Sequence, residues 1–389
     1  MASAHVVEET FRAAPRVPVA GLRTETLSSE SELERLAGSW DGLVRAMPRP
    51  SPFLLHAWLL AWWRHYGGAA ELAVHVVFRG DRLVGALPLC ISRRAGLRVC
   101  EFIGGTGAIL ADLLVAPGEE EPAAGALVER LASSRYDFAS LYGLPEHSRL
   151  VAALPRDALR LVERLEAPIL DMDAGWDAAY RTKVPSKRRN ERRRRRRRLE
   201  ALGTVEAPVA RSRGELGSAL EDAFRVHGLR WQGRRDASGF VTPTGRRFHR
   251  AALLSLAEQD VSRLLTLRLD GEAIAFALYL QLEGRAYGLT MAFDPAYALF
   301  APGMDAKLLS LEAAAGEGMT RAELLGAAAE HKQHLTDRFE PIYQGIGLAR
   351  TRRGRAAAKL LFHAIRARRR LKRSQTARKL YYRLPRLRR

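Results

Sequence analysis

The sequence predicts an α/β (α+β) fold of two related units, each a mixed, mostly antiparallel sheet flanked by helices, joined by an arginine-rich helix. Three observations predict it. Strand-rich hairpin runs recur in both halves, helical stretches lie between them, and one strongly basic segment separates the halves. With 389 residues and 47% hydrophobic content the chain can bury a large core, and length alone favours two domains over one.

"SPFLLHAWLLAWWRHYGG", residues 51–68, predicts the first long helix. Ser51 is placed to cap it, Pro52 suits its first turn and Gly67 ends it. Phe53, Leu54, Ala57, Trp58, Ala61 and Trp62 fall at three- and four-residue spacing and form one apolar stripe. "LAVHVVFRGDRLVGALPLCI" follows as two β-rich runs around Gly80-Asp81, a hairpin signal. "GLRVCEFIGG" adds a strand, residues 119–134 a helix, and "YDFASLYGLPEHS" a buried strand ending in a loop.

The same order returns later. "LLTLRLDGEAIAFALYLQLEGRAYGLTMAFDP" breaks at Asp270-Gly271 and Glu283-Gly284 into a three-strand meander. Pro302-Gly303 opens a helix to about Gly318, and "TRAELLGAAAEHK" supplies a short strand and loop. "FRGDRLVGALPL" lies over "LRLDGEAIAFAL", and "YDFASLYGLPEHS" over "TRAELLGAAAEHK", as an ordered internal repeat. Between the halves, "SKRRNERRRRRRRLEALG" predicts a helix with Ser186 as cap, Leu199 and Leu202 as a thin apolar contact, and Gly203 as stop. A strand, "TVEAPVA", and helices at about 214–232 and 244–259 come next.

Charge is distributed unevenly. Residues 181–198 hold 12 Lys/Arg and one acid, and residues 350–389 hold 17 Lys/Arg and none. Subtracting these tracts, +11 and +17, from the formal +20 leaves −8 for the rest. The body is therefore mildly acidic, unlike a basic nucleic-acid-binding domain. The arginine run also lacks aromatic residues that would stack on bases. Cys90 and Cys100, both in apolar stretches, are expected to be buried free thiols in a reducing cytoplasm. No apolar leader and no eighteen-residue apolar run appear, so neither secretion nor a membrane span is expected. A Walker loop, a dinucleotide fingerprint, a nucleophile elbow and a metal-ligand set are all missing, which leaves phosphoryl and hydride transfer unsupported and no metal expected. Near the C-terminus, Leu360, Leu361, Phe362 and Ile365 are expected to pack on the body ahead of a basic tail, with contact to an anionic membrane as the alternative.

"SPFLLHAWLLAWWRHYG", the arginine linker, "HGLRWQG", "AFDPAYALFAPGMDAKLL" and "ELLGAAAEHKQHL" follow one another as they do in GNAT-superfamily acetyltransferases of the cellulose-biosynthesis (CelD/BcsL) type. Those enzymes are related in turn to the FemAB peptidoglycan aminoacyltransferases. The chain resembles the CelD/BcsL type over roughly residues 25–350. The resemblance implies an N-terminal GNAT-like domain at 20–180, a basic linker helix at 181–203, a C-terminal GNAT acyltransferase domain at 204–350 and a basic helix or tail at 351–389. It implies acyl-CoA (acetyl-CoA) as donor substrate, with an amine of a sugar or glycan precursor, cell-envelope precursor or small metabolite as acceptor. A FemAB-like enzyme fed by aminoacyl-tRNA is the enzymatic alternative, and a non-catalytic GNAT pair binding anionic membrane or nucleic acid is the third reading.

A GNAT-type donor site needs small residues at a helix start, where backbone N–H groups and the helix dipole favour phosphate. Pro302, Gly303 and Met304 meet that description, and Lys307 adds charge one turn later, although the usual glycine-rich Q/R-x-x-G-x-G/A signature is absent. Amine attack on a thioester also needs a base and an oxyanion donor. Tyr287, His331 and Lys332 are the catalytic candidates. "EHK" sets His331 where the family has Tyr and retains Lys332, with Gly326 six residues before the Lys instead of five. Arg189 and Arg192 of the linker, with His227, Trp231 and Asp294, are the substrate-binding candidates. Each has a plain alternative: a packing Tyr, a core Trp, a turn-capping Asp, a solvated Lys or Arg.

Overall fold

The computed structural model describes residues 21–107, 109–231, 239–326, 334–336 and 338–373. The N-terminal half contains β1 (Leu22–Leu27), α1 (Glu30–Glu34), α2 (Ala37–Arg45), α3 (His56–Trp62), β2 (Glu71–Leu72), β3 (Val74–Arg79) and β4 (Arg82–Leu87). It continues through β5 (Leu89–Arg94), β6 (Leu97–Phe102), β7 (Leu114–Val115), α4 (Glu120–Ser133), β8 (Phe138–Pro145), α5 (Arg149–Ala153) and β9 (Leu159–Asp171). Helices α6 (Trp176–Lys183) and α7 (Ser186–Glu200) cross to the second half. That half holds β10 (Val205–Glu206), β11 (Val209–Ala210), α8 (Arg213–Trp231), α9 (Pro243–Ala257), β12 (Ser262–Leu269), β13 (Glu272–Leu282) and β14 (Arg285–Phe293). It ends with α10 (Pro302–Gly316), β15 (Arg321–Glu323), β16 (Arg338–Gly347) and α11 (Arg352–Arg373).

The meander forms where the sequence places it. Asp270-Gly271 and Glu283-Gly284 all take positive φ, from 45° to 81°, as two-residue turns matched to strand twist require. β12, β13 and β14 pair antiparallel in turn. β13 is buried on both faces, which explains its unbroken apolar run. α8 and α9 cover one face through Phe224, Phe248 and Leu253, and α10 covers the other through Ala306 and Ala314.

Two departures from sequence expectation concern local structure. Residues 51–67 do not form one continuous helix: a single 3₁₀ turn at Pro52–Leu54 precedes α3, and a π-type turn spans Trp63–Gly67. Ser51 is no cap, because its hydroxyl donates to Leu110 O at 2.6 Å. The apolar stripe still does its work, with Trp58 edge-on to Phe53 at 5.2 Å and to Phe248 at 5.1 Å, joining the two halves. Ser186 likewise makes no side-chain cap; Pro185 precedes the first helical residue of α7.

Twelve strands form one sheet through both halves, in the order β10-β12-β13-β14-β15-β9-β16-β8-β6-β5-β2 with β11 beside β12; a second sheet runs β1-β3-β4-β7. β16, from the second half, lies between β8 and β9 and is antiparallel to both. β9, from the first half, pairs antiparallel with β15. Each half thus lends its last strand to the other's sheet. A buried charge cluster fastens this seam. Glu323, closed to solvent at the end of β15, meets Arg49 at 2.6 Å, Arg321 at 3.1 Å and Arg285 at 3.2 Å. Glu323→Gln is expected to lower the unfolding free energy by about 3 kcal/mol, because three arginines then share an uncharged partner. Urea denaturation measures the change.

Candidate active site

β14 and β15 run parallel only over three residue pairs, from Arg285↔Arg321 to Tyr287↔Glu323. Beyond them the strands part. A bulge at Leu289 interrupts the β13 register between Gly288 and Thr290. The N–H of Leu324 turns instead to Pro168 O at 2.9 Å. β14 therefore continues to Phe293 with no strand partner on its β15 side among the described residues. Gly288 sits at the fork, where an added Cβ would stand 3.8 Å from Glu323 O. The backbone groups on that edge of β14 are left for another partner.

One cavity lies beside the start of α10, where Gly303 packs against Phe293 at the end of β14. It has a volume of about 140 Å3 and lies between α6, α7 and the first turn of α10. Arg192 and Arg196, one turn apart on α7, both reach Asp305 in that first turn, at 2.7 and 2.9 Å. Burial opposes the charge on both guanidiniums, but Asp305, joined by Tyr180 at Arg192 and by Glu200 at Arg196, holds their pKa above the ordinary value. Tyr180, stacked on Trp176 at 5.1 Å, supports Arg192 at 5.7 Å from its ring centroid. Arg188 and Arg195 line the same cavity. Four arginines against Glu191 and Asp305 leave net positive charge at a helix start, an arrangement that suits an anion.

The larger cavity, about 970 Å3, lies between the two halves. Trp58, Trp62, Tyr66, Phe248, His249 and Leu289 give it an aromatic and apolar part. Arg94, Glu101, Glu163, Arg164, Arg368 and Arg369 give it a charged part. Leu289, the bulged residue of β14, belongs to this lining, whereas Met291 and Phe293 pack toward α10.

His249 is the imidazole in that cleft. Its Nδ1 lies 2.7 Å from Gly245 O, and because a carbonyl only accepts, the proton sits on Nδ1 and Nε2 keeps its lone pair. Burial lowers its pKa to about 4; the hydrogen bond to Gly245 opposes the shift and the charge of nearby His227 assists it. The ring is therefore a neutral acceptor at pH 7. Sequence reasoning missed both His249 and Asp305. His249 belongs to no quoted motif; Asp305 lies inside "FAPGMDAKLL", but only packing reveals its arginine partners.

The sequence-selected residues divide clearly. Arg192, Pro302 and Met304 line the smaller cavity, and Gly303 sits against the Phe293 ring at the α10 start. Arg189 instead donates to Val184 O at 2.6 Å and Arg181 O at 3.1 Å, closing the end of α6. Lys307 is buried on α10 and lines neither cavity described here. Tyr287 is fully buried, with its hydroxyl donating to Pro50 O, so it ties β14 to the N-terminal half. Asp294 caps the turn after β14 by accepting from Ala296 N at 2.9 Å. His227 is buried and stacked on Trp231 at 6.0 Å, and Arg230 lies over both Trp231 and Phe293. His331 and Lys332 lie outside the described residues.

The sequence profile of the acetyltransferase (GNAT) domain family matches residues 186–333, from the start of α7 past β15. No curated protein matches the chain in sequence. Among solved structures, FemX is 13% identical, covering 83% of this chain and 96% of that one with a TM-score of 0.56. L-PGS from Bacillus licheniformis is 14% identical, covering 79% and 96% with a TM-score of 0.50. At such identities these likenesses establish the fold alone. The chain therefore carries a GNAT acetyltransferase domain within a two-unit α/β fold, and its enzyme class is acyltransferase. Among the described residues no His, Cys, Asp and Glu cluster is built to hold a metal ion, and no helix is long and apolar enough to cross a membrane.

Proposed function

We propose that the protein is an acyl-CoA-dependent N-acyltransferase of the CelD/BcsL type, working in the cytoplasm on an amine borne by a sugar, cell-envelope precursor or small metabolite. The observation that carries this reading is the fork between β14 and β15, with the cationic start of α10 packed on Phe293 at the end of β14 and a deep cleft lined by Leu289 of the same strand. Arg192, Arg196 and the first turn of α10 hold the phosphates of the donor. Small residues there, Pro302 and Gly303, let the backbone come close. Backbone N–H groups of β14 beyond the fork face the thioester carbonyl and stabilise the negative charge that gathers on its oxygen.

The acceptor enters from the large cleft. Its nitrogen attacks the acyl carbon, the C–N bond forms and the C–S bond breaks. Nε2 of His249 takes the proton that the nitrogen sheds and returns it to the departing thiolate. The aromatic wall of Trp58, Tyr66 and Phe248 keeps water from the reacting carbon, while Arg164 and Arg368 favour an acceptor with an anionic group. FemAB-like transfer from aminoacyl-tRNA is the second reading, supported by the arginines of α7 beside the donor cavity.

Titration calorimetry with acetyl-CoA and longer acyl-CoAs tests the donor. Binding is expected, and Arg196→Ala is expected to weaken it about tenfold by removing a charge-assisted contact. Absence of binding to every CoA ester, together with salt-sensitive binding of charged tRNA, would transfer the assignment to the second reading.

A further inference from the structure

We propose that the outward face of α11 is a docking surface for an anionic lipid bilayer. The helix has two faces. Its inner side is fixed to the body: Ala358, Leu361, Phe362 and Ile365 pack on Val99, Phe138 and Ile346, and Arg369 pairs with Glu163. Phe362 is also covered by the Arg160 and Arg366 guanidiniums at 5.8 and 5.5 Å. This anchoring presents the opposite side as a rigid surface.

On that opposite side stand Leu360 and Leu371, 72% and 60% exposed, which fall in line at three helical turns. Exposed Ala356, Ala364 and Ala367 continue the same strip, which exposed Arg353 closes at its N-terminal end, so that from 356 to 371 the leucines are its protruding features. At about 100° per residue, Arg352, Lys359, Arg366 and Arg370 line one edge of the strip and Arg368 the other. No acidic residue occurs in α11. The sequence after it, 374–389, adds six more basic residues and no acid.

An apolar strip between cationic rows is the pattern of a helix that lies in a lipid headgroup layer. Nucleic acid would use the charges but has no need of two leucines aimed outward, which is why the bilayer is the better fit. The placement also has a consequence for access. Arg368 borders the strip and lines the large cleft together with Leu361 and Ile365 of the inner face. The cleft therefore shares a lining residue with the edge of the membrane-facing strip.

Co-sedimentation of the full chain with vesicles tests the proposal, comparing phosphatidylglycerol–phosphatidylcholine mixtures with phosphatidylcholine alone. Binding to the anionic vesicles only is expected, and Leu360→Asp with Leu371→Asp, which leaves every basic residue in place but lowers the net charge by two, is expected to weaken it at least about tenfold. Leu360→Ala with Leu371→Ala, which preserves helix propensity, gives the same direction where aspartate disturbs folding. Lys359→Glu with Arg366→Glu is expected to abolish binding at physiological salt. The proposal is overturned if the native chain ignores anionic vesicles, or if the leucine variants bind them undiminished. A tRNA gel shift that responds to the charge reversals and not to the leucines, with no vesicle binding, would assign the surface to nucleic acid. None of these outcomes depends on whether the protein binds CoA.

Discussion

His249→Asn is expected to lower kcat by about 10²–10⁴-fold, with donor affinity close to that of the native protein. Asparagine is chosen because its amide nitrogen takes the place of Nδ1 and keeps the hydrogen bond to Gly245 O. What it deletes is Nε2. The size of the loss follows from the role assigned to that atom. An imidazole whose pKa lies near 4 is a weak base toward a free ammonium, so the acceptor must bind as the neutral amine. Once the C–N bond begins to form, the nitrogen becomes strongly acidic, and Nε2 then has the driving force to take its proton. The pH profile carries the signature. With the neutral imidazole as the active form, the rate shows no inflection at the ordinary histidine value of about 6.5 and stays level from pH 8 to about 5 once amine ionisation is allowed for. A folded His249→Asn protein retaining half of the native kcat would remove the residue from the mechanism.

That residue also marks the limit of what the sequence discloses. The meander was legible because Asp270-Gly271 and Glu283-Gly284 state their turns locally, and the start of α10 because Pro302-Gly303 does the same. α7 was legible from its helix-forming arginines and the Gly203 stop. The exchange of β9 and β16 was not, since a strand's apolar alternation says which face is buried and nothing about which neighbour it joins. For the same reason the sequence shows a run of seven arginines without showing that Arg192 and Arg196, more than 100 residues from Asp305, are bound to it. Tyr287 drew attention as a phenol in the third strand of the meander. Its setting, closed beneath Pro50, is a property of the other half of the chain. His249 sits in a helix of ordinary composition, and its chemistry comes from the α3 aromatic wall and the Gly245 carbonyl.

The largest effect expected of any solution change is loss of stability in mild acid. His75, His227 and His249 all have their pKa lowered to about 4, in each case mainly by burial, with Arg130, Arg246 and His227 respectively adding repulsion. His75 is the clearest, 1% exposed and hydrogen-bonded on both ring nitrogens to Thr26 and Ser134, each at 3.0 Å. In the unfolded chain the same three rings titrate at about 6.5. As pH falls through that value the unfolded state takes up protons that the folded state refuses, so stability complete above pH 6.5 drains away toward pH 4. Three such groups give a slope approaching about 4 kcal/mol per pH unit in the middle of the window, against a total stability of roughly 5–15 kcal/mol for a folded domain. Buried Asp112 works the other way: its raised pKa, again from burial, lets the folded state bind a proton before the unfolded one and so offsets part of the loss. Urea midpoints measured at half-unit steps from pH 7.5 to 4.5 should therefore fall steeply below about 6.5, and His75→Gln should flatten the descent by about a third once its lower starting stability is subtracted. A midpoint that holds steady from pH 7 to 5 would show that these rings are hydrated and protonate in place, and that the packing around them is looser than the structure has it.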